Sequence, residues 1–196
     1  MSRLLTRPLV LAVVATMAAS GAAAQTPPSA RAEFINVEGQ AIGSATFTQM
    51  AQGVVIRLEL RELPTGWHAV HVHENASCEP PFASAGGHFN PGDEQHGYDG
   101  DGTHAGDLPN VRVGEDGAVA AELFSNRISL VSQDPTDVNV LNRAIGAVQS
   151  AAGLSSYNIL EGNGTAVVVH SAPDDYRTNP SGASGDRIAC GVVERD

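Results

Sequence analysis

The stretch His68-Ala69-Val70-His71-Val72-His73-Glu74 alternates imidazole and small apolar side chains in the manner of a β-strand. Successive side chains of a strand point to opposite faces, so His71 and His73 share one face while Val70 and Val72 share the other. Two imidazoles on one face of a rigid strand can chelate a single metal ion. The stretch therefore predicts a strand with an apolar face and a metal-binding face.

His68 falls on the apolar face of this strand, together with Val70 and Val72. A histidine among core residues is expected to be satisfied by hydrogen bonds to the backbone. We therefore interpret His68 as a core residue and not as a metal ligand.

Short apolar runs of the same kind recur on both sides of this stretch and are separated by glycine turn signals. The predicted strands cover residues 34–37, 45–47, 54–60, 69–73, 118–124, 166–170 and 188–193. With 21 glycines, 11 prolines and only 5% aromatic residues, the composition favours a turn-rich β architecture over a helical bundle. Seven or so short strands predict an antiparallel sandwich or flattened barrel.

Two segments interrupt the strand pattern. Residues 79–110 are rich in Gly, Asp, Pro and His and lack apolar periodicity, which is typical of a functional or disordered loop. Residues 134–153 have a helical signature, with Asp134 as the cap, Pro135 in the first turn and Gly153 at the exit. One face of this helix would carry Val138, Leu141, Ile145 and Val148. It would either cover one end of the sandwich or form an interface with a partner.

Six of the seven histidines lie between positions 68 and 104, a clustering that isolated structural histidines would not show. The long loop contributes four potential metal ligands, which are His88, His96, His104 and Asp107. Three imidazoles and one carboxylate suit a tetrahedral zinc ion, which would also order a loop that has no apolar core. An all-imidazole site built on the strand pair and completed by His170 would suit Cu(II).

The first residues have the features of a secretory signal: basic Arg3 and Arg7, an apolar run over 9–19, and small residues before a cut after Ala24. An uncleaved membrane anchor is the alternative, although the apolar run is short for a bilayer. We expect residues 1–24 to be the signal peptide, 25–32 a flexible leader and 33–196 the folded domain. The mature chain would then lie in the periplasm, without a membrane anchor.

The charge of the chain bears on its partners. There are 22 acidic and 11 basic residues, a formal net charge of −11, and every basic residue is an arginine. The arginines are scattered singly, whereas binding to nucleic acid or to an anionic membrane relies on clustered Lys and Arg. The sequence therefore predicts neither a nucleic-acid partner nor a membrane-surface partner.

The only two cysteines, Cys78 and Cys190, are 112 residues apart. An oxidising compartment would permit them to pair, and closing such a loop would stabilise the fold by about 4 to 5 kcal/mol. Two unpaired buried thiols are the alternative. A metal role for Cys78 is not favoured, because no second cysteine lies at ligand spacing.

At this point the chain resembles a known family, the copper–zinc superoxide dismutases in their exported bacterial form. The resemblance runs from about residue 33 to 193 and rests on five motifs. They are the stretch at 68–74, Gly86-Gly87-His88-Phe89-Asn90-Pro91, His104-Ala105-Gly106-Asp107-Leu108-Pro109-Asn110, Val167-Val168-Val169-His170 followed by Asp174, and Gly185-Asp186-Arg187-Ile188-Ala189-Cys190-Gly191.

The resemblance implies an all-β, antiparallel Greek-key sandwich or flattened barrel with long metal-binding and electrostatic loops, to which this chain adds the predicted short helical insertion. It implies copper bound by His71, His73, His88 and His170, and zinc bound by His88, His96, His104 and Asp107. His88 would bridge the two metals, and Asp174 would hydrogen-bond one histidine of each site. It also implies a Cys78–Cys190 disulfide and a guanidinium, Arg187, beside the open copper position.

The activity implied by the resemblance is dismutation of superoxide to dioxygen and hydrogen peroxide, by alternating reduction and reoxidation of copper next to an imidazolate-bridged structural zinc. His88 and Arg187 would be its catalytic residues. The rival hypothesis is a copper-binding or copper-delivery module on the same sandwich without catalysis. It would need neither the bridge nor the arginine.

Two features depart from the family pattern. The family often has lysines near its channel and this chain has none, so Arg177 is a candidate for helping Arg187 to attract the anion. Electrostatic steering of this kind is well known for superoxide dismutase itself. The segment between Phe124 and Ala166 is longer than usual and contains the predicted helix. Family members assemble through different surfaces. A homodimer is therefore a candidate assembly, but the sequence does not indicate which surface would form its interface.

Overall fold

The computed structural model describes residues 26–98, 103–132, 140–151 and 156–196. Within these ranges, twelve strands, one short 3-10 helix and one α-helix follow each other. Their bounds are β1 Ser29–Asn36, β2 Ala41–Met50, β3 Gly53–Leu60, β4 Gly66–His68, β5 Val70–His73, the 3-10 helix Ala83–Ala85, β6 Val111–Val113, β7 Val119–Ser125, β8 Ile128–Ser129, α1 Val140–Ala151, β9 Tyr157–Asn158, β10 Ala166–His170, β11 Arg187–Val192 and β12 Glu194–Arg195.

Eight of the strands form one curled antiparallel sheet, a half-barrel, in the order β5-β10-β11-β1-β2-β3-β7, with β12 also pairing with β1. Two small sheets complete the fold: β4 pairs with β6 in antiparallel fashion, and β8 pairs with β9 in parallel. The predicted all-β class is confirmed. The seven predicted strands are all present, and the short strands β4, β6, β8, β9 and β12 were not predicted.

The core lies on the concave side of the sheet and follows the period-2 pattern of the strands. On β3, Val54, Ile56 and Leu58 are buried, while Arg57 and Glu59 face outward. Because alternate side chains enter one interior, burial of this apolar surface is the main force that holds the half-barrel together.

The predicted leader over 25–32 is wrong at its C-terminal end, because β1 begins at Ser29. Ala30 and Ala32 are buried and stand opposite Phe47 and Ala45 of β2. Because alanine is small and these two alternate with polar residues, their sequence pattern did not indicate a strand. In the structure their small side chains fit beside the neighbouring residues of β2. The predicted signal peptide lies outside the described residues.

The predicted helix is present as α1, Val140–Ala151. Its predicted cap, Asp134 with Pro135, and its predicted exit, Gly153, lie outside the described residues, as does Val138. Leu141 and Ile145 are half-buried, whereas Val148 is 47% exposed. Leu141 and Asn142 line one cleft together with residues 26–29, Arg195 and Asp196.

The long loop over 79–110 contains one short 3-10 helix among its described residues, as its composition predicted. Backbone hydrogen bonds fasten it to β5: Phe89 donates to Val72 O, Val72 donates to Gly106 O, and Glu74 donates to Gly87 O. The loop is therefore ordered by its own backbone pairing to the sheet edge, in addition to any metal it holds.

Among the described residues, no helix has both the length and the apolar character needed to cross a membrane.

Candidate metal centre

The strand β5 places His71 and His73 on one face, as the alternation predicted. Val70 and Val72 point the other way, into the main core cluster. β10 lies beside β5, with Val168 opposite His71, and it ends at His170. The sheet thus brings three imidazoles to one edge, and all three are buried.

The hydrogen-bond partners of the His73 and His170 rings lie at Nδ1, which leaves Nε2 of each ring facing the other histidine. His73 Nδ1 lies 3.0 Å from Gly86 O, and because a carbonyl only accepts hydrogen bonds, this nitrogen carries the proton. His170 Nδ1 lies 3.1 Å from Ser184 Oγ. The Nε2 atoms of the two rings are 3.4 Å apart. With its proton on Nδ1, His73 therefore directs the lone pair of Nε2 toward Nε2 of His170.

His88 comes from the long loop and completes this first cluster. It pairs with His73 across an isolated β-bridge, and its ring centre is 4.0 Å from that of His71. The ligand atoms of the four histidines, His71, His73, His88 and His170, all lie within 4.8 Å of one another.

A second cluster forms on the other side of the same ring. His88 Nδ1 lies 2.8 Å from Asp107 Oδ1, His96 Nδ1 lies 3.0 Å from Asp107 Oδ2, and His104 Nδ1 lies 3.3 Å from Asp107 Oδ1. These four residues are also within 4.8 Å of one another through their ligand atoms, and all four are buried. Solvent-facing histidines are thereby excluded for this loop.

His88 is thus the residue that the two clusters share. Its Nδ1 faces Asp107, while its Nε2 is buried and has no hydrogen-bond partner. The Nδ1 atoms of His71 and His96 are likewise buried without a hydrogen bond. Unpartnered buried nitrogens are costly, so each marks a place where a ligand atom is expected.

Asp174 connects the clusters from behind. Its Oδ2 lies 2.8 Å from His71 Nε2, and its Oδ1 lies 2.9 Å from His96 Nε2. Both rings therefore donate from Nε2, which leaves Nδ1 of each free to face a metal. The Asp174 carboxylate thus lies within hydrogen-bond distance of one histidine from each cluster.

Electrostatics keep the first cluster neutral. Burial lowers the pKa of His73 to about 2, that of His170 to about 3 and that of His88 to about 4. Neighbouring histidines lower all three further, and Arg187 lowers those of His73 and His170. At neutral pH these imidazoles hold lone pairs and not protons, which is the state that a metal requires.

The second cluster is polarised in the opposite sense. Burial alone would raise the pKa of Asp107 and lower that of His96. The imidazoles of His104, His88 and His96, each with a nitrogen within 3.3 Å of an Asp107 oxygen, outweigh burial at Asp107 and hold its pKa well below the usual range. The Asp107 carboxylate, 3.0 Å from Nδ1, and the Asp174 carboxylate, hydrogen-bonded to Nε2, raise the pKa of His96 to about 9. The cluster is therefore prepared for a positive charge in its middle.

Arg187 lies at the start of β11, next to the first cluster. Its guanidinium donates to Phe82 O and to Gly86 O, both at 2.6 Å. The Gly86 carbonyl is the same one that accepts from His73 Nδ1. Burial lowers the pKa of the Arg187 guanidinium, yet a guanidinium remains charged in proteins.

A cavity of about 730 Å³ opens beside Arg187 and is lined by Val37, Pro81, Ala83 and the residues from Gly185 to Ile188. It contains the exposed Asp186 as well as the arginine. Arg177, the second candidate cation, lies exposed in the loop over 171–186, where its backbone N–H donates to Asp175. Its steering role stays a prediction.

The two cysteines form a disulfide, with Cα atoms 5.6 Å apart. Cys190 is buried in β11, so the bond ties the start of the long loop to the sheet next to Arg187. His68 is a buried core histidine as predicted, with Nδ1 2.7 Å from His170 O and Nε2 2.8 Å from Pro64 O.

Two residues to which the sequence assigned no role surround Asp174. Asn110 Nδ2 donates to Asp174 O, and Asn110 Oδ1 accepts from Asp174 N. The backbone N–H of Tyr176 donates to Asp174 Oδ1. Asn110 ends the motif that contains His104 and Asp107, and that position was the only signal that could have identified it.

Comparison with known proteins is consistent with this geometry. A family model described as copper/zinc superoxide dismutase matches residues 41–151 and 147–193. A protein of Aquifex aeolicus named superoxide dismutase (Cu-Zn) 2 is 37% identical over 167 residues, covering 84% of this chain and 85% of its own length.

Solved structures agree. A superoxide dismutase-like protein from Bacillus subtilis superposes with a TM-score of 0.69 at 35% identity, covering 84% of this chain and 97% of that one. The Cu/Zn superoxide dismutase from Brucella abortus gives a TM-score of 0.57 at 26% identity, with 85% and 99% covered.

Proposed function

The chain belongs to the copper/zinc superoxide dismutase family, and on that premise we propose that it dismutates superoxide to dioxygen and hydrogen peroxide. The observation that carries the proposal is the sharing of His88 by two buried ligand clusters. A protein that only stored or delivered copper would need one cluster and no shared ring.

The donor chemistry of each cluster fits one of the two metals that this family uses. Four imidazoles suit copper, so we assign copper to His71, His73, His88 and His170. Three imidazoles and a carboxylate suit tetrahedral zinc, so we assign zinc to His88, His96, His104 and Asp107. The buried, unpartnered nitrogens of His71, His88 and His96 support both assignments, since each faces a cluster.

Copper, when bound, supplies the one-electron change, being reduced by one superoxide and reoxidised by the next. The protein must then attract the anion and deliver protons. The role of His88 is to carry a proton at Nε2, the nitrogen that faces the copper cluster. Its Nδ1 is held on the zinc side by Asp107, so the ring keeps its position while Nε2 gains and loses that proton.

Arg187 provides fixed positive charge for the substrate. Two backbone carbonyls, Phe82 O and Gly86 O, fix the guanidinium next to the copper cluster. The chain as a whole is acidic, with a formal net charge of −11, but charges more than about 8 Å away in solvent are largely screened at physiological salt. The local cation therefore governs the encounter.

The decisive experiment follows superoxide disappearance with copper–zinc-loaded, zinc-only and metal-free protein at equal concentration. We expect only the copper-containing protein to accelerate the decay. Full copper occupancy without acceleration would overturn the proposal and favour the copper-binding module. The B. subtilis relative, named only as superoxide dismutase-like, is a reason to run this assay before using the family name as an activity.

The bridge has its own test, which does not depend on activity. If His88 joins both metals, removing zinc alone must change the visible and paramagnetic spectrum of Cu(II), because one copper ligand changes its protonation. An identical spectrum with and without zinc would assign His88 to a single metal.

We further propose that the mature chain works in the periplasm after cleavage behind Ala24. The Cys78–Cys190 disulfide supports an oxidising compartment. N-terminal sequencing of the protein from fractionated cells should find Gln25 first in the periplasmic fraction. Finding the chain in the cytoplasm with residues 1–24 still attached would contradict this proposal.

Self-association stays a prediction as well. Val148 on α1 is exposed and is the best single position for a test. Sedimentation of the mature protein and of Val148→Glu would show whether a homodimer exists and whether it uses this face; a dimer unaffected by the substitution places the interface elsewhere.

A further inference from the structure

The Asp174 carboxylate is held in a crowded place. Besides the bonds to His71 and His96, its Oδ1 accepts the Tyr176 backbone N–H at 2.6 Å. It is 3% exposed. Any atom added near Oδ1 must therefore compete with a carboxylate that has little room to move.

Gly182 lies directly against this carboxylate. A Cβ at position 182 would overlap Asp174 Oδ1 and would come within 2.7 Å of His96 Nε2. Gly182 is buried and has φ +65°, a conformation that favours glycine by itself. Position 182 therefore requires glycine for two reasons: the backbone has a positive φ, and a side chain would overlap the Asp174 carboxylate.

The backbone at this point cannot easily move away. Gly182 N–H donates to Thr178 O at 2.6 Å, and Gly182 O accepts from Asp175 N at 2.9 Å. These bonds close residues 175–182 into a compact turn directly after Asp174. Relief of a clash at position 182 would therefore come from the Asp174 side chain and not from the turn.

We propose that Gly182 is a positioning residue for both metal clusters: its missing side chain leaves the space in which the Asp174 carboxylate joins His71 to His96. A methyl group there pushes the carboxylate off His96 Nε2, and the imidazole then loses the partner that orients its Nδ1. Through the other oxygen the same displacement loosens His71. The inference rests on the proposed assignment of zinc and copper to the two clusters.

The test compares two alanine substitutions that share the same backbone cost. Gly162 has φ +64° and is exposed, and a Cβ added there would meet no atom within 4 Å, so Gly162→Ala carries the conformational cost alone. Competition with a chelator measures Zn²⁺ affinity. We expect Gly182→Ala to weaken Zn²⁺ binding by about 10- to 100-fold, the range typical of lost outer ligand partners, and Gly162→Ala to leave it unchanged.

A second comparison ties the effect to Asp174. The most severe overlap is with the carboxylate, so adding Gly182→Ala to an Asp174→Ala protein should cost much less Zn²⁺ affinity than adding it to the wild type, because only the 2.7 Å approach to His96 Nε2 remains. Equal binding by Gly182→Ala and Gly162→Ala overturns the inference, and so does a loss in the Asp174→Ala background as large as the loss in the wild type.

Folding gives the remaining control. Should Gly182→Ala alone fail to fold, the double variant with Asp174→Ala should recover folding, because the shortest of the clashes, that with the Asp174 carboxylate, is gone; failure of both proteins would overturn the inference. Zinc affinity is measured without superoxide. A wild-type protein that lacks dismutase activity would defeat the proposed function and leave this result standing.

Discussion

Asn110 and Asp174, 64 residues apart in sequence, hold each other by two hydrogen bonds. The Asn110 amide donates to Asp174 O at 2.9 Å and accepts from Asp174 N at 2.8 Å. The side-chain amide of Asn110 thus pairs with both backbone groups of Asp174, much as a neighbouring β-strand would, and links two loops. It fixes the backbone of the residue whose carboxylate joins the two clusters, so the position of Asp174 is set from the long loop over 79–110.

Replacing Asn110 by alanine should therefore weaken zinc binding without touching a ligand. Two partly buried backbone groups of Asp174 lose their partners, at a combined cost of about 1–3 kcal/mol in the free energy of unfolding. We expect a lower free energy of unfolding for the metal-free protein and a lower Zn²⁺ affinity, measured by urea titration and chelator competition.

Asn158→Ala is the matched control, since Asn158 also makes two hydrogen bonds, to Glu161 and to the Leu160 N–H, at a site not shared with the clusters. If both variants change Zn²⁺ affinity equally, the Asn110–Asp174 pair has no special role in the site.

Reversing the charge of Arg187 should lower kcat/KM for superoxide by about tenfold or more, because the local cation becomes a local anion. Copper and zinc content should remain near wild type, since no ligand is changed. Stopped-flow decay of superoxide with Arg187→Glu, together with metal analysis, measures both quantities.

Arg57→Glu makes the same change of net charge on β3, which is separated from β10 in the sheet by β11, β1 and β2. We expect it to leave the rate almost unchanged. A similar fall in both variants would mean that total charge governs the encounter and would remove Arg187 from the mechanism.

Asp186 lies next to Arg187 and lines the same cavity, so it opposes the attraction of an anion. Asp186→Asn should raise kcat/KM about twofold at low ionic strength, and the gain should vanish in about 1 M salt, where the Debye length is near 3 Å. Glu59→Gln on the outer face of β3 is the control. If the increase in kcat/KM persists at high salt, the substitution acts by changing the shape of the cavity and not by removing a charge.

Acid should destabilise the metal-free protein. His73, His88 and His170 have pKa values of about 2, 4 and 3 in the folded chain, whereas an unfolded histidine titrates near 6.5. Below about pH 6.5 the unfolded chain binds protons that the folded chain does not. The free energy of unfolding therefore decreases as the pH is lowered. Urea titrations between about pH 4.5 and 7.5 measure this slope, and a flat profile would contradict it.

His96 predicts a second, opposite slope in the metal-free protein. Its folded pKa, about 9, lies above the unfolded value, so its contribution to stability is complete below about pH 6.5 and is lost as the pH rises through 9. His96→Asn should flatten the profile between about pH 7 and 9.5, as should saturation with zinc, which takes the place of the proton. If His96→Asn leaves the slope intact, another group causes it.

Local patterns in the sequence predicted those parts of the site that depend on strand geometry. Alternation alone placed His71 and His73 on one face and His68 in the core. The resemblance supplied Asp174 and the shared ring of His88, and the structure brings these residues together. Their assignment to copper and zinc stays a prediction.

Other features depend on contacts between distant segments or on backbone angles, which no local pattern reveals. Asn110 acts on a residue 64 positions away, and Gly182 matters because of a side chain that the turn folds back against it. The start of β1 was misplaced for a related reason. Ala30 and Ala32 gain their burial from β2, not from their own apolar character.

The Gly86 carbonyl, which accepts both from Arg187 and from His73, has a consequence for protein engineering. Redesigning the segment over 79–87 to widen the entrance would shift this oxygen, and with it a cation and an imidazole at once. Catalytic speed and cofactor retention would then change together in any library built there. Mutagenesis aimed at substrate access alone is better directed to a residue that lines the cavity outside this segment, such as Val37.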